Sequence, residues 1–163
     1  GLSKLWIEQY LKMANKLYGL DYSILRYGNV YGPHQDPKGE AGVVSIFLDA
    51  LLQGRDLKMF GNGEQRRDFV YVDDVIRANI LMMNETQNEI YNVGSNSSVS
   101  VNEVAKELTD QLGIIPAWQY LLEIKGEMFE TKLSYDKIKE SCGWEPKISF
   151  KEGIQKTIEW RKL

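Results

Sequence analysis

The sequence has one cysteine, one histidine and no long apolar run, and each of these shortages excludes a class of protein. Cys142 alone cannot form an internal disulfide, which fits a reducing compartment, so we expect a cytoplasmic protein. With His34 as the single histidine, we expect no metal site built from histidine and cysteine. No stretch approaches the roughly 18 apolar residues of a membrane-spanning helix, so we expect no membrane partner.

An excess of charge of one sign is also lacking. Lys and Arg number 20 and Asp and Glu number 23, which leaves a net charge of −3, and no basic tract stands out. We therefore expect no nucleic-acid partner. The 163 residues, of which 43% are hydrophobic, suffice for about one domain with a buried core.

The first residues predict a chain that starts inside a fold. The sequence opens on Gly1, and residues 3–18 have helical apolar spacing from the outset. This segment carries two adjacent apolar stripes, which make a wider face than one neighbouring surface requires. We expect residues 1–163 to be a piece of a longer protein.

Predicted strands alternate with predicted helices, so the fold class is α/β. The predicted helices cover residues 3–18, 43–53, 74–84, 101–113, 134–141 and 150–162. The predicted strands cover residues 22–28, 57–60, 68–72, 90–94 and 118–124. Helix starts are expected at Asp73 and Ser149, and at Ser100, where Glu103 completes a capping box.

Asn29 is the first residue that could carry chemistry. It follows a predicted buried strand, where α/β proteins place ligand-binding groups. The alternative is that Asn29 only shapes a turn, since asparagine tolerates left-handed backbone, and the spacing alone favours the turn.

Two pairs of charged residues allow similar alternatives. Arg66 and Arg67 lie between a Gly-containing turn and a strand, where a guanidinium could hold a phosphate, but a solvated pair of charges is favoured. Asp73 and Asp74 could form a carboxylate pair, but acidic residues at a helix N-terminus are favoured.

Five segments have a more specific pattern in their order and spacing. They are GLSKLWIEQY, SILRYGNVYGP, GNGEQRRDFVYVDDV, IYNVGSNSSVSVNEVA and CGWEPKISFKEGI. Together they resemble the C-terminal half of the extended short-chain dehydrogenases, and most closely the NAD-dependent nucleotide-sugar epimerases of the UDP-glucose 4-epimerase family. In that family NAD takes a hydride from C4 of the hexose, the keto-sugar rotates, and the hydride returns to the other face.

The resemblance implies a partial doubly wound, Rossmann-like unit followed by a small C-terminal α/β domain that binds the substrate. Residues 1–33 would be the end of the Rossmann domain, and residues 34–163 would be mainly the substrate-binding domain.

The resemblance identifies Lys4 as the lysine of a Tyr-x-x-x-Lys motif, which is catalytic and also binds the cofactor. The tyrosine would precede Gly1, and the glycine-rich phosphate loop would also lie upstream. A lysine in such a site lowers the pKa of the tyrosine, so without the tyrosine the lysine has no catalytic effect. We expect the chain alone to bind NAD poorly and to be inactive, and its parent to be an enzyme.

The other positions implied by the resemblance contact cofactor or substrate. The backbone of Tyr27 would meet the nicotinamide amide. The nucleotide-sugar positions are Asn29 and Arg67 at the diphosphate, Val43 and Val44 near the diphosphate and uridine, Lys58 and Phe60 at the uracil edge, Glu127 at the ribose, and Thr131 beside the sugar C2 substituent.

The sequence departs from the family at Ile124, where the family usually has a phosphate-binding arginine. The neighbouring Lys125 lacks the two-pronged guanidinium, so weaker diphosphate binding is expected there. Arg66, unlike Arg67, is expected to be solvated.

Two other functions stay open. A nucleotide-sugar 4,6-dehydratase uses the same scaffold, and its deciding acidic pair would lie before Gly1. A non-catalytic module could bind a sugar nucleotide or dimerise. Within the epimerase hypothesis, a small residue at Thr131 predicts that N-acetylhexosamine nucleotides are accepted, and helix 3–18 is expected to pair with its copy in a homodimer.

Overall fold

The computed structural model describes residues 1–39, 42–84 and 88–162. The described helices are α1 (Leu2–Tyr18), α2 (Val43–Leu52), α3 (Val72–Asn84), α4 (Val101–Leu112), α5 (Asp136–Cys142) and α6 (Phe150–Arg161). The described strands are β1 (Ser23–Tyr27), β2 (Asn29–Tyr31), β3 (Leu57–Phe60), β4 (Arg66–Arg67), β5 (Phe69–Tyr71), β6 (Glu89–Val93), β7 (Val99–Ser100) and β8 (Trp118–Leu121). No helix within these ranges is long and apolar enough to cross a bilayer.

The strands pair in twos, mostly in parallel, which confirms the α/β class. β1 pairs with β6, β2 with β5, and β3 with β8, all in parallel, and β4 pairs with β7 in antiparallel orientation. One residue, Gly28, separates β1 from β2, and one residue, Asp68, separates β4 from β5. Two segments of the chain therefore change strand partner at a single residue.

Most helix boundaries agree with the sequence patterns. Ser100 Oγ accepts from the Glu103 N–H at 3.1 Å, and Glu103 Oε2 accepts from the Ser100 N–H at 2.7 Å, so the predicted capping box is confirmed. Ser149 Oγ likewise accepts from the Glu152 N–H and starts α6. At the predicted end of the first helix, Gly19 has the left-handed conformation that glycine permits without strain.

Some predictions are wrong. The turn favoured at Asn29 is replaced by β2, because Tyr31 is buried beside β5. Asp73 is not the N-cap, since α3 begins one residue earlier and both Asp73 and Asp74 lie in its first turn. The last predicted strand ends at Leu121 rather than at residue 124.

The favoured alternative for Asp73 and Asp74, a helix N-terminus, is confirmed. Asp74 is buried and accepts from the N–H groups of Lys147 and Ile148, each at 3.1 Å. The Arg77 guanidinium pairs with the same carboxylate at 2.5 Å. Asp74 thus fixes the segment that leads into α6.

The buried side chains form two clusters. One, beneath α2, α4 and α6, includes Phe47, Leu57, Leu108 and Ile154. The other includes Val70, Tyr91, Ile138 and Trp144. Tyr31 belongs to the first cluster, and burial raises the pKa of its hydroxyl, which therefore stays protonated and donates to the Phe150 carbonyl at 3.1 Å. The first cluster supports the helices and strand that border the candidate site.

Asp68 is buried and connects several distant segments. Its Oδ1 accepts from the backbone N–H and the hydroxyl of Ser95, at 2.7 and 2.8 Å. Its Oδ2 accepts from the Leu133 N–H at 2.9 Å, and its backbone carbonyl accepts from the Asn29 N–H at 2.6 Å. The start of β2, the turn after β6 and the segment before α5 therefore meet at one residue, the last two of them at its carboxylate.

The close packing at Asp68 requires two glycines. A Cβ on Gly28 would lie 2.7 Å from the Asp68 carbonyl oxygen, and a Cβ on Gly94 would lie 2.8 Å from Oδ2. Both distances are shorter than the contacts that Cβ atoms make in real proteins, so a larger residue at either position would displace the strands.

Helix α1 is attached to the rest of the described structure mainly through Glu8. The Glu8 carboxylate accepts from Nε and an Nη of Arg26, at 2.8 and 2.6 Å, and the guanidinium lowers the pKa of Glu8. The apolar stripes of the helix remain exposed, as in Trp6 and Tyr10, whose exposed fractions are 67% and 66%.

We predict that Asp68→Asn lowers the free energy of unfolding by about 2–4 kcal/mol, because the new NH₂ would face a buried N–H donor. Urea denaturation measures this loss. The control is Asp56→Asn, since Asp56 is exposed and its replacement should change stability by less than about 0.5 kcal/mol. Equal losses in the two variants would contradict the role given to Asp68.

Candidate functional site

A cleft with two lobes lies beside the start of α2 and β3. The first lobe, about 370 Å³, is lined by Val43, Ile46, Phe47, Lys58, Phe60, Gln65, Val101, Ile124 and Glu127. The second lobe, about 340 Å³, is lined by Gly61, Asn62, Gln65, Glu123, Ile124, Glu127 and Phe129. Gln65, Ile124 and Glu127 line both lobes and so form the junction between them.

The first lobe brings together four of the predicted substrate-binding residues, namely Val43, Lys58, Phe60 and Glu127. Val44, the fifth residue expected here, has its side chain buried in the first core cluster. A contact from Val44 to a ligand would therefore come from its backbone.

Arg67 lies at the edge of this cleft. One of its Nη atoms donates to Glu127 Oε1 at 2.7 Å, and the other donates to the carbonyls of Arg66 and Phe129 at 2.9 and 3.4 Å. Its side chain is only 17% exposed, so the guanidinium is held in place rather than free in solvent.

Arg66 is not the solvated residue that the sequence predicted. Its guanidinium donates to the hydroxyl and the carbonyl of Ser98, at 3.2 and 2.6 Å, and pairs with Glu103 at 2.9 Å. The two arginines differ because successive side chains of a strand point to opposite faces. In β4, Arg66 points toward the start of α4 and Arg67 toward the cleft.

Thr131 lies beside β4 and does not line either lobe. Its N–H donates to the Arg66 carbonyl at 3.1 Å, and its Oγ1 accepts from the Asp68 N–H at 3.4 Å. Thr131 is therefore adjacent to β4 and half-buried, with its side chain oriented by Asp68.

Three other predicted residues lie outside both lobes. Lys4 is exposed on α1, and Asn29 is exposed at the start of β2. Tyr27 ends β1, and its hydroxyl donates to Asn79 Oδ1 at 2.9 Å. The structure thus groups the residues expected at the uracil and the ribose, and it leaves apart from them Asn29, expected at the diphosphate, and the two residues expected at the cofactor.

The start of α2 places helix N-terminal N–H groups beside the first lobe. Gly42 is its N-cap and supplies no side chain, and its first turn holds no acidic residue. The first N–H groups of a helix lack intrahelical partners and carry partial positive charge, which favours anions. Because Val43 lines the lobe beside Lys58, an anionic group is favoured there.

Sequence reasoning missed two residues of this region. Asp68 was predicted only as the first residue of a strand, although it connects the surrounding segments. Gln65 was not named at all, although it lies at the junction of the lobes. The turn glycines before Gln65 were visible in the sequence, but no pattern indicated that its side chain enters a cleft.

Comparison with known proteins identifies the family of this chain. A model of the NAD dependent epimerase/dehydratase family matches residues 1–94. A candidate UDP-glucose 4-epimerase of Methanocaldococcus jannaschii is 47% identical over 162 residues, which are 99% of this chain and 52% of that protein.

Solved structures are similar over the same extent. The UDP-glucose 4-epimerase of Thermotoga maritima, solved with UDP-glucose, is 46% identical with a TM-score of 0.94, over 99% of this chain and 52% of that one. The UDP-N-acetylglucosamine 4-epimerase of Methanobrevibacter ruminantium, solved with UDP-N-acetylmuramic acid, is 34% identical with a TM-score of 0.90, over 95% and 50%.

This chain spans about half the length of the curated relatives that it matches. The dTDP-glucose 4,6-dehydratases that also match are more distant. The likenesses confirm the predicted resemblance and the Rossmann-like α/β class. The chain belongs to the NAD-dependent epimerase/dehydratase family.

Proposed function

We propose that this chain is the nucleotide-sugar-binding part of a 4-epimerase that acts on UDP-glucose and UDP-galactose and on their N-acetyl forms. The observation that carries the proposal is the meeting of Lys58, Phe60 and Glu127 in one lobe, with Arg67 bonded to Glu127. The resemblance assigns Lys58 and Phe60 to the uracil, Glu127 to the ribose and Arg67 to the diphosphate. In this proposal residues 1–33 end the Rossmann domain, and residues 34–163 are mainly the substrate-binding domain.

The edge of β3 supports binding of the base. The Leu57 N–H donates to the residue before β8 and the Gly61 N–H donates to the last residue of β8, so the backbone groups of Lys58 and Phe60 point to the opposite edge. That edge borders the first lobe, and it offers the N–H and C=O of Lys58 and the N–H of Phe60, whose carbonyl already accepts from Gln65 Nε2. A uracil edge, which has an N–H between two carbonyls, can pair with such a strand.

Arg67 and the start of α2 support binding of the diphosphate. A guanidinium has five N–H donors, and the bonds of Arg67 to Glu127 and two carbonyls leave donors for a phosphate oxygen. A charge-assisted bond of this kind is stronger than a bond between neutral groups. Glu127 keeps the guanidinium oriented before a ligand arrives.

NAD, when bound, supplies the hydride acceptor and donor in this family. The described residues fit only part of that cofactor: Lys4 matches a position at its ribose and Tyr27 a position at its nicotinamide, and both are exposed. The described ranges contain no glycine-rich turn from strand to helix of the kind that holds a pyrophosphate. We propose that this chain alone binds NAD poorly and does not convert UDP-glucose.

Arg67→Ala is expected to weaken the binding of UDP by about 2–4 kcal/mol, because a diphosphate loses its charge-paired partner. Isothermal titration calorimetry on this chain measures the change. Arg66→Ala is not a neutral control, because Arg66 is bonded to Ser98 and Glu103.

Arg55→Ala is the matched control, since Arg55 lies outside both lobes and pairs with Asp49. It should change UDP binding by less than about 0.5 kcal/mol. If the Arg55 and Arg67 variants weaken binding equally, the proposed site is wrong.

Thr131→Tyr is expected to lower kcat/KM for UDP-N-acetylglucosamine relative to UDP-glucose by about tenfold or more. A tyrosine ring would occupy space that the N-acetyl group needs. The side chains of a closely packed site cannot move far enough to remove the clash. The measurement requires a full-length protein that carries this chain. Thr131→Ser keeps a hydroxyl that can accept from the Asp68 N–H, and it should leave the ratio near that of the wild type. An unchanged ratio in Thr131→Tyr would show that Thr131 does not select the sugar.

We also propose that α1 pairs with its copy in a homodimer. Sedimentation velocity at roughly tens of micromolar should give a dimer, and Trp6→Glu with Tyr10→Glu should give a monomer, because charges would replace an apolar contact. Ile115→Glu is the control, since Ile115 is 98% exposed but lies outside α1. A monomeric wild type would contradict the pairing.

A further inference from the structure

The position of helix α1 depends on one ion pair. Among the described residues of α1, Glu8 is the only buried one, with 8% of its surface exposed. Its two carboxylate oxygens accept from Nε and an Nη of Arg26, at 2.8 and 2.6 Å, which makes the contact bidentate. In the described part of the chain, the other side-chain hydrogen bond of α1 runs from Asn15 to the Leu20 carbonyl, just beyond the helix, so it does not fix the helix on the sheet.

The partner of Glu8 is held in a strand. Arg26 lies in β1, which pairs with β6 in parallel and places Arg26 opposite Asn92. A guanidinium that meets a carboxylate with two parallel bonds fixes direction as well as distance. Lys12, one turn further along α1, also acts on Glu8, but it belongs to the same helix and adds no link to β1. The pair of Glu8 and Arg26 therefore sets both the separation and the angle between α1 and β1.

The ion pair lies next to both residues that the resemblance assigns to the cofactor. Lys4 precedes Glu8 by four residues, so the two lie one turn apart on the same side of α1. Tyr27 follows Arg26 directly and ends β1. In the resemblance the catalytic tyrosine precedes Gly1, four residues before Lys4, and a helix would carry both on one side. Any movement of α1 would displace Lys4 and the tyrosine together, away from Tyr27 and from the cleft.

We propose that Glu8 and Arg26 are positioning residues, whose ion pair holds the end of α1 that carries Lys4 in place on the sheet. This inference rests on the proposed function, because it requires Lys4 to be the lysine of the Tyr-x-x-x-Lys motif. Neither Glu8 nor Arg26 touches substrate or cofactor, and both act through the placement of Lys4 and the tyrosine. Placement matters because a displacement of about 1 Å at reacting groups lowers a rate by roughly a hundredfold.

Glu89 offers a matched control. It lies in β6, beside the strand that carries Arg26, and it pairs with the exposed Lys137 at 2.7 Å. The ammonium lowers the pKa of Glu89, as the guanidinium lowers the pKa of Glu8. The helix α5, which carries Lys137, is also held by the buried Ile138. Loss of a glutamate charge would appear in both variants, whereas loss of the position of a helix would appear only at Glu8.

The first measurement uses this chain and needs no cofactor. Residual dipolar couplings of the backbone amides report the angle between α1 and the pair of strands β1 and β6. Glu8→Gln should change the couplings of α1 and leave those of β1 and β6 as they are, because a neutral amide loses the charge-assisted pair. Glu89→Gln should leave all three elements unchanged. Every sample carries Trp6→Glu and Tyr10→Glu, so that contact between copies does not hold α1.

The second measurement is the rate constant for reduction of bound NAD by UDP-glucose in a full-length protein that carries this chain. Glu8→Gln should lower this rate constant about tenfold or more, whereas Glu89→Gln should match the wild type. A partly unfolded sample would lose amplitude instead and keep the wild-type rate constant. UDP affinity should stay within about twofold in both variants, because the described lining of the cleft contains no residue of α1.

An exchange of the two partners tests the pair itself. Glu8→Arg combined with Arg26→Glu restores an ion pair between α1 and β1. This double variant should recover the rate constant to within about threefold of the wild type, because the two substitutions compensate each other. A double variant that is no faster than Glu8→Gln would contradict the inference.

The remaining outcomes separate this inference from the proposed function. If α1 keeps its angle in Glu8→Gln, or if Glu8→Gln and Glu89→Gln have equal rate constants, the inference is wrong, and an active wild type shows that the proposed function stands. If the full-length protein binds UDP but does not reduce NAD with UDP-glucose, the proposed function is contradicted. The inference then falls with it, even where α1 has moved.

Discussion

The buried carboxylate of Asp68 is the interaction on which the candidate site depends. It accepts three hydrogen bonds from Ser95 and Leu133, while its backbone carbonyl accepts from Asn29. A carboxylate can be buried at low cost only when such donors satisfy it, so the segments that supply them must stay together. Arg67 immediately precedes Asp68, and its position is therefore set by the core rather than by a loop.

The short strand β4 gives two adjacent arginines different roles. Arg66 is bonded to Ser98 and Glu103 and so fixes the turn before α4. Arg67 crosses to Glu127, which lines both lobes of the cleft. The same strand thus connects the core to the cleft, and a diphosphate at Arg67 would be held against a rigid support. This preorganisation favours binding, because little freedom is lost when the ligand arrives.

Local patterns predicted the helices well, because their signals are contained within a few residues. The capping box of Ser100 and Glu103 and the glycine after α1 are examples. The strands β2, β4 and β7 were missed, since two or three residues are too few to show alternation. The role of Asp68 could not be predicted either, because its partners lie 27 and 65 positions away in the sequence.

The site itself was predicted by resemblance more than by physical pattern. Charge and spacing favoured solvated arginines at Arg66 and Arg67, whereas both guanidinium groups are bonded in the structure. The resemblance assigned Arg67 to the diphosphate and left Arg66 in solvent. The two side chains do point to opposite faces of β4, but Arg66 is bonded to Ser98 and Glu103.

Titration of the ¹⁵N-labelled chain with UDP measures whether the cleft between α2 and β3 binds a nucleoside diphosphate. The largest amide shifts should occur at Lys58, Phe60 and Glu127, and the amides of α5 should stay nearly unchanged. Shifts concentrated instead around the separate cleft lined by Pro37, Lys38 and Arg55, or no shifts at saturating UDP, would contradict it.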